Sequence, residues 1–150
     1  MSMEPATSFR FYIHLSGFAV AEFTKCGGLT LEREVETVEE GGLNNRVHIL
    51  PGRSKYTNVT LSHGVTYSTK LWDWYEEGLY NGKVSKQSLT ITLGDVEGKV
   101  IRRWHVENAF PVKFDGPELD GESSTVAIET LELAHERLWL DSVGLGSAMS

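Results

Sequence analysis

The chain has 150 residues, 40% of them hydrophobic and 23% charged. That is the balance of one globular domain, and it excludes a disordered tail, a collagen-like fibre and a coiled coil. The single cysteine, Cys26, excludes an internal disulfide, and a net charge of −7 opposes nucleic-acid binding, which needs a basic face.

Residues 9–15 (FRFYIHL) alternate with a period of two. Phe9, Phe11, Ile13 and Leu15 fall on one face and Arg10, Tyr12 and His14 on the other, the pattern of a half-buried strand. Ser16-Gly17 turns the chain into a second strand over 18–25, which Gly27-Gly28 ends. Residues 29–39 set Leu29, Leu31 and Val35 against Glu32, Glu34 and Glu36, so a long strand with one acidic face is expected. From 40 to 54 (EGGLNNRVHILPGRS), Gly-Gly, Asn-Asn and Pro-Gly break the pattern and predict a long loop. Loops of that length are uncommon in compact domains and usually have a role. Strand character resumes over 56–62.

One segment reads as helix, with Ser68 as N-cap, Leu71, Trp72, Tyr75 and Leu79 as its apolar stripe and Asn81-Gly82 as its end. This spacing places Leu71 and Trp72 in the core and Trp74 nearer solvent. Leu89, Ile91 and Leu93 then alternate with Thr90 and Thr92, and DVEG (95–98) connects to a strand over 100–107. Val100, Arg102, Trp104 and Val106 share a face of that strand, Phe110-Pro111 interrupts it, and 112–114 continues. Over 124–138, Val126 and Ile128 point one way and Leu131 and Leu133 the other, which predicts a β-bulge near Glu129-Thr130. Seven or eight short strands, one helix and one long loop make a mainly β sandwich or barrel. The expected unit is a single domain over 1–150, with its core over about 9–138 and frayed ends. Its core candidates are Phe11, Ile13, Leu71, Trp72, Tyr75, Leu79, Ile91, Trp104 and Ile128.

Catalytic equipment is sparse. No G-x-S-x-G elbow, Walker A run or G-x-G-x-x-G is present. His14, His48, His63, His105 and His135 are dispersed, and a metal site from His14, His105 and His135 is not expected. Cys26 reads as a small buried hydrophobe beside a turn. Neither an enzyme nor a cofactor is expected. No apolar run approaches the ~18 residues of a bilayer span. Residues 1–7 also lack a basic-then-apolar leader, so synthesis in the cytoplasm without a signal peptide is expected.

Five strings in order carry a family resemblance: GFAVAEFTKCGGL (17–29), LPGRSKY (50–56), LWDWY (71–75), AFPVK (109–113) and VAIETLELAH (126–135). Together they resemble the tail-tube family of contractile phages and phage-tail-like particles, nearest to the inner-tube proteins of extracellular contractile injection systems. The resemblance implies a small antiparallel β-barrel or sandwich with one flanking helix. It also implies homohexameric rings stacked into a hollow tube, with a contractile sheath, a baseplate with its tube initiator, a terminating cap and protein cargo in the lumen as partners. Such a particle is cytoplasmic, membrane-anchored or released. On this reading the acidic face of Glu32, Glu34 and Glu36, with Arg46, Val47, Ile49, Leu50, Arg53 and Lys55, becomes an assembly interface. The alternatives are a tube-initiator paralogue at the baseplate, a ligand-binding barrel lined by Trp72, Trp74 and Trp104, and a β-barrel hydrolase using His105 with a carboxylate.

Overall fold

The computed structural model describes residues 9–15, 23–39, 47–65, 69–122 and 127–142. In chain order these form β1 (Phe9–Leu15), β2 (Lys25–Gly27), β3 (Leu31–Glu39), β4 (Val47–Tyr56), β5 (Val59–Gly64), α1 (Lys70–Asn81), β6 (Gln87–Asp95), β7 (Val100–Asp115), β8 (Ile128–Ala134) and β9 (Arg137–Asp141). All strand pairs are antiparallel.

The long strand β7 organises the sandwich. Its first part pairs with β6 on one edge and β9 on the other, and its last part pairs with β8. One layer is therefore β1-β6-β7-β9 and the other β7-β8-β5-β2. The strand passes between layers at Asn108, which has a φ of 53°, and at a bulge between Pro111 and Lys113. Pro111 does not interrupt the strand as the sequence suggests. Val112 is the extra residue of that bulge, and at Pro111 the described pairing of β7 is with β8 alone, an edge-like position of the kind that tolerates proline. The bulge expected at Glu129-Thr130 is absent, and β8 pairs regularly with β5 through that stretch. Ile128 is 49% exposed on the outer side with Thr130 and Glu132, so it is not a core residue. Val126 and the proposed strand over 18–22 lie outside the described residues.

Inward-facing residues of the two layers form the core: Ile13, Leu15, Leu89, Ile91, Val106 and Leu138 from one, and Val59, Leu61, Leu131 and Leu133 from the other. Phe11 and Trp104 are partly buried against it. Tight turns follow their sequence signals. The Asp95 carboxylate accepts from the N–H groups of Glu97 (3.0 Å) and Lys99 (2.9 Å), and Gly98 takes a φ of 85° between β6 and β7.

Thr69 holds the N-cap position of helix α1 without a side-chain cap; its carbonyl accepts the first helical bond, from Asp73 N–H at 2.8 Å, and the helix ends at Gly82 with a φ of 68°. The expected cap, Ser68, lies outside the described residues. Its buried stripe differs from the expected one. Leu71 and Trp74 are buried and Tyr75 is half-buried, whereas Trp72 is 43% and Leu79 60% exposed. The stripe runs through Leu71, Trp74, Tyr75 and Gly78, at helical spacing. A Cβ on Gly78 would lie 2.3 Å from Val84 Cγ2, so the glycine admits close packing there. The Trp74 indole N–H donates to the Ser85 carbonyl at 2.7 Å, and the Glu77 carboxylate accepts from Ser85 N–H and Oγ–H. Trp72 instead lies edge-on to Phe114 at 5.1 Å on the outside of the helix.

Cys26 faces Leu61 across the β2–β5 ladder, and burial raises its thiol from 9.0 to about 11. Roughly one thiol in a thousand is then ionised at pH 8, against about one in ten in an unfolded chain. Maleimide labelling at pH 8 is therefore expected to be about 100-fold slower in the native than in the urea-unfolded chain. As pH rises from 9 towards 11 the unfolded thiol ionises first, so this group removes stability with rising pH. Equal labelling rates in the two states would contradict the burial.

Candidate assembly surface

Of the segment expected to be a loop, residues 40–46 lie outside the described residues and 47–54 are strand, not loop. Residues 47–56 form β4, which pairs with β3 from Leu31↔Tyr56 to Glu39↔Val47 as a two-stranded arm. The punctuation that suggested a loop, Pro51-Gly52, sits where β4 carries one extra residue and the register shifts opposite Glu34. Gly52 allows the backbones to close there, because a Cβ would lie 2.8 Å from the Glu34 carbonyl oxygen. Thr57 anchors the base of the arm, donating from N–H to the Thr30 carbonyl at 3.5 Å and from Oγ to the Gly28 carbonyl at 3.2 Å. Gly28 has a φ of 84°, and a Cβ on it would meet the Asn58 carbonyl oxygen at 1.9 Å. Any other residue would clash at this crossing.

Beyond the base, the two strands pack chiefly on each other, and every residue except Gly52 is exposed. Alternation gives the arm two unlike faces. One carries Leu31, Tyr56, Val35, Pro51, Ile49 and Val47, with Arg33, Ser54, Thr37 and Glu39 among them. The other carries Glu32, Lys55, Glu34, Glu36, Leu50, Val38 and His48. Leu31 is 62%, Val35 64% and Ile49 68% exposed. An isolated two-stranded ribbon is marginal in water, and contiguous exposed apolar surface marks an interaction site. A shallow groove of about 410 Å³, lined by Leu31, Glu32, Arg33, Ser54 and Tyr56, opens at its base.

The sequence-derived interface residues are brought together only in part. Glu32, Glu34, Glu36, Val47, Ile49, Leu50, Arg53 and Lys55 all lie on the arm and all are exposed, and Arg46 is outside the described residues. Lys55 Nζ lies 3.5 Å from Glu32 Oε2, an exposed pair that contributes little stability. The apolar face escaped sequence reading because Val35, Pro51 and Ile49 become neighbours only once β4 pairs with β3.

Three polar clusters lie elsewhere. On the outer side of the first layer His105 Nε2 lies 2.8 Å from Asp141 Oδ2, its Nδ1 lies 3.3 Å from Thr90 Oγ1, and its ring stacks on Trp139. The carboxylate expected of a hydrolase is thus present, but the group ties β6, β7 and β9 together, with both side chains largely buried. His63 Nε2 lies 3.1 Å from Glu129 Oε2 inside the sandwich, close enough for an ion pair but off hydrogen-bond geometry. His135 Nε2 meets the Thr57 carbonyl at 2.9 Å. Among the described residues no group of three or more His, Cys, Asp or Glu is placed to hold a metal ion. The three tryptophans of a ligand-binding barrel do not converge: Trp74 is in the core, Trp72 is outside the helix, and Trp104 is part of the first layer.

The described residues thus form a small antiparallel sandwich with one helix and a projecting two-stranded arm whose apolar residues are exposed. The chain belongs to the T4-like virus tail tube protein gp19 family, whose model matches residues 7–139. Among solved structures it is similar to a chain of the sheath–tube complex of a PVC extracellular contractile injection system in the extended state, with 29% identity, 94% of each chain covered and a TM-score of 0.82. It is also similar to a chain of the tube-terminating cap of the anti-feeding prophage, with 25% identity over 94% of this chain and 93% of that one and a TM-score of 0.82. A type six secretion system protein shares the fold, at 14% identity over 95% of this chain and 91% of that one, with a TM-score of 0.62. No curated protein matches the chain. Among the described residues no helix is long and apolar enough to cross a membrane.

Proposed function

We propose that this chain is the repeating subunit of the inner tube of a contractile injection particle. Six copies close a ring, and rings stack into a hollow shaft that sheath contraction drives through a target envelope. The sheath surrounds it, a baseplate with its initiator starts it, a cap ends it, and protein cargo occupies the lumen. The subunit performs no catalysis; its chemistry is surface burial between copies. The observation that carries this reading is the arm of β3 and β4, which exposes both faces within its own chain. The similarity to the cap chain supports a second reading, a ring that begins or ends the tube. Negative-stain microscopy with mass photometry over a concentration series separates the possibilities. Long tubes from the purified chain are expected of a shaft subunit, isolated rings of an initiator or terminator. A monomer at every concentration refutes both.

A further inference from the structure

Where the arm leaves the sandwich, every polar group of Thr57 is used. Its N–H donates to the Thr30 carbonyl and its hydroxyl to the Gly28 carbonyl, both on the stretch that runs into β3. Its own carbonyl lies 2.9 Å from His135 Nε2, in the short turn between β8 and β9. Because a carbonyl only accepts, Nε2 carries the proton. Nδ1 is then left buried without a hydrogen-bond partner among the described residues. The ring is held by that one polar bond and by its packing on Tyr56, the last residue of β4, with ring centroids 5.5 Å apart. The neighbouring Asn58 amide adds a longer, exposed bond to Glu132 Oε1 at 3.3 Å.

The turn that carries His135 is itself pinned. Glu136 N–H donates to the Glu107 carbonyl at 3.0 Å, and its carboxylate accepts from Asn108 Nδ2 at 2.6 Å and from Lys86 Nζ at 3.0 Å. The Asn108 amide, and after it the Lys86 ammonium, hold the Glu136 carboxyl below its ordinary range. Asn108 is also the residue of left-handed φ at which β7 passes between the layers. We infer that His135 is the positioning residue of the arm: from a turn fixed to the layer crossing, its bond to Thr57 sets the angle at which β3 and β4 leave the sandwich. Small errors at the base grow along the strands. The nine residues of β3 extend roughly 30 Å at ~3.3 Å per residue, so a tilt of ~10° carries the tip about 5 Å, a whole inter-strand spacing. Packing between copies does not survive such an offset, because a radial gap below 1 Å already forfeits much of a van der Waals contact. This inference rests on the tube reading and adds to it the residue that aims the arm.

The test reads the angle directly and assembly separately. Spin labels at Glu36→Cys on the arm and Lys113→Cys on the sandwich, in a full chain carrying Cys26→Ser, give the distance between them by pulsed electron resonance on dilute, unassembled protein. One narrow distance is expected. His135→Phe keeps a ring against Tyr56 but removes the donor, and is expected to broaden the distribution severalfold. His135→Gln restores an N–H at the Nε2 position and is expected to narrow it again. Glu136→Ala, at an exposed position where folding is not at risk, frees the turn and is expected to broaden it too. In unlabelled chains the concentration at which rings or tubes appear should rise severalfold with His135→Phe and return with His135→Gln, while circular dichroism shows both folded. A distribution that stays narrow in both loosening variants, or is already broad in the parent, overturns the inference and leaves the tube reading intact. Assembly of His135→Phe at the parent's concentration also overturns it. A parent with a fixed arm that never assembles refutes the tube reading, and with it the role given to that angle.

Discussion

Trp74→Ala is expected to cost about 3–5 kcal/mol and to leave little folded protein, while Trp72→Ala costs about 1 kcal/mol and leaves the subunit folded. The two residues are two positions apart on one helix, so the contrast depends on helix register alone. Trp74 is 2% exposed, packs in the core with Leu71, and loses a 2.7 Å hydrogen bond to the Ser85 carbonyl when truncated. Trp72 is 43% exposed and forfeits chiefly its edge-on contact with Phe114. Urea titration of both variants by far-ultraviolet circular dichroism measures the difference. Equal midpoints would contradict the register.

The register was misread from sequence for a physical reason. A stripe is recognised by its large apolar side chains, and Trp72, Tyr75 and Leu79 form a passable one. The true stripe includes Gly78, which carries no hydrophobic signal yet is required where Val84 packs against the helix. The strand Phe9–Leu15, by contrast, is legible from its alternation, which turns Phe11, Ile13 and Leu15 towards the core, although Phe9 at its end is exposed. The turn at Asp95 was equally plain, since Asp and Gly occupy the positions that their chemistry favours.

The arm was half legible. Its first strand announced itself by alternation, but its second carries Pro51-Gly52, which normally ends a strand. In a two-stranded ribbon there is no third strand to demand the proline N–H, so the residue is tolerated beside a register shift. The same reasoning explains Pro111 in β7, which also sits at a bulge. Prolines in this chain mark irregularities within strands more often than strand ends. The family resemblance points to assembly but does not reveal which face of the arm is apolar. That required the pairing of Val35 with Pro51 and of Thr37 with Ile49.

Excising the arm is expected to separate folding from assembly. Thr30 and Thr57 are joined by a backbone hydrogen bond at the base, so residues 32–55 can be replaced by a short Asn-Gly turn without opening the sandwich. None of the described residues in that span belongs to the buried core. Stability should change by no more than about 1 kcal/mol, since the shortened connection lowers loop-closure entropy and the lost ribbon contributes little by itself. Assembly should be lost entirely, because the apolar face of Val35, Val47 and Ile49 would no longer be available for burial between copies. Thermal unfolding and sedimentation velocity on the same sample read the two effects. Tubes of normal length from the excised chain would falsify the role given to the arm. Loss of cooperative unfolding would show instead that β3 and β4 help hold the sandwich together.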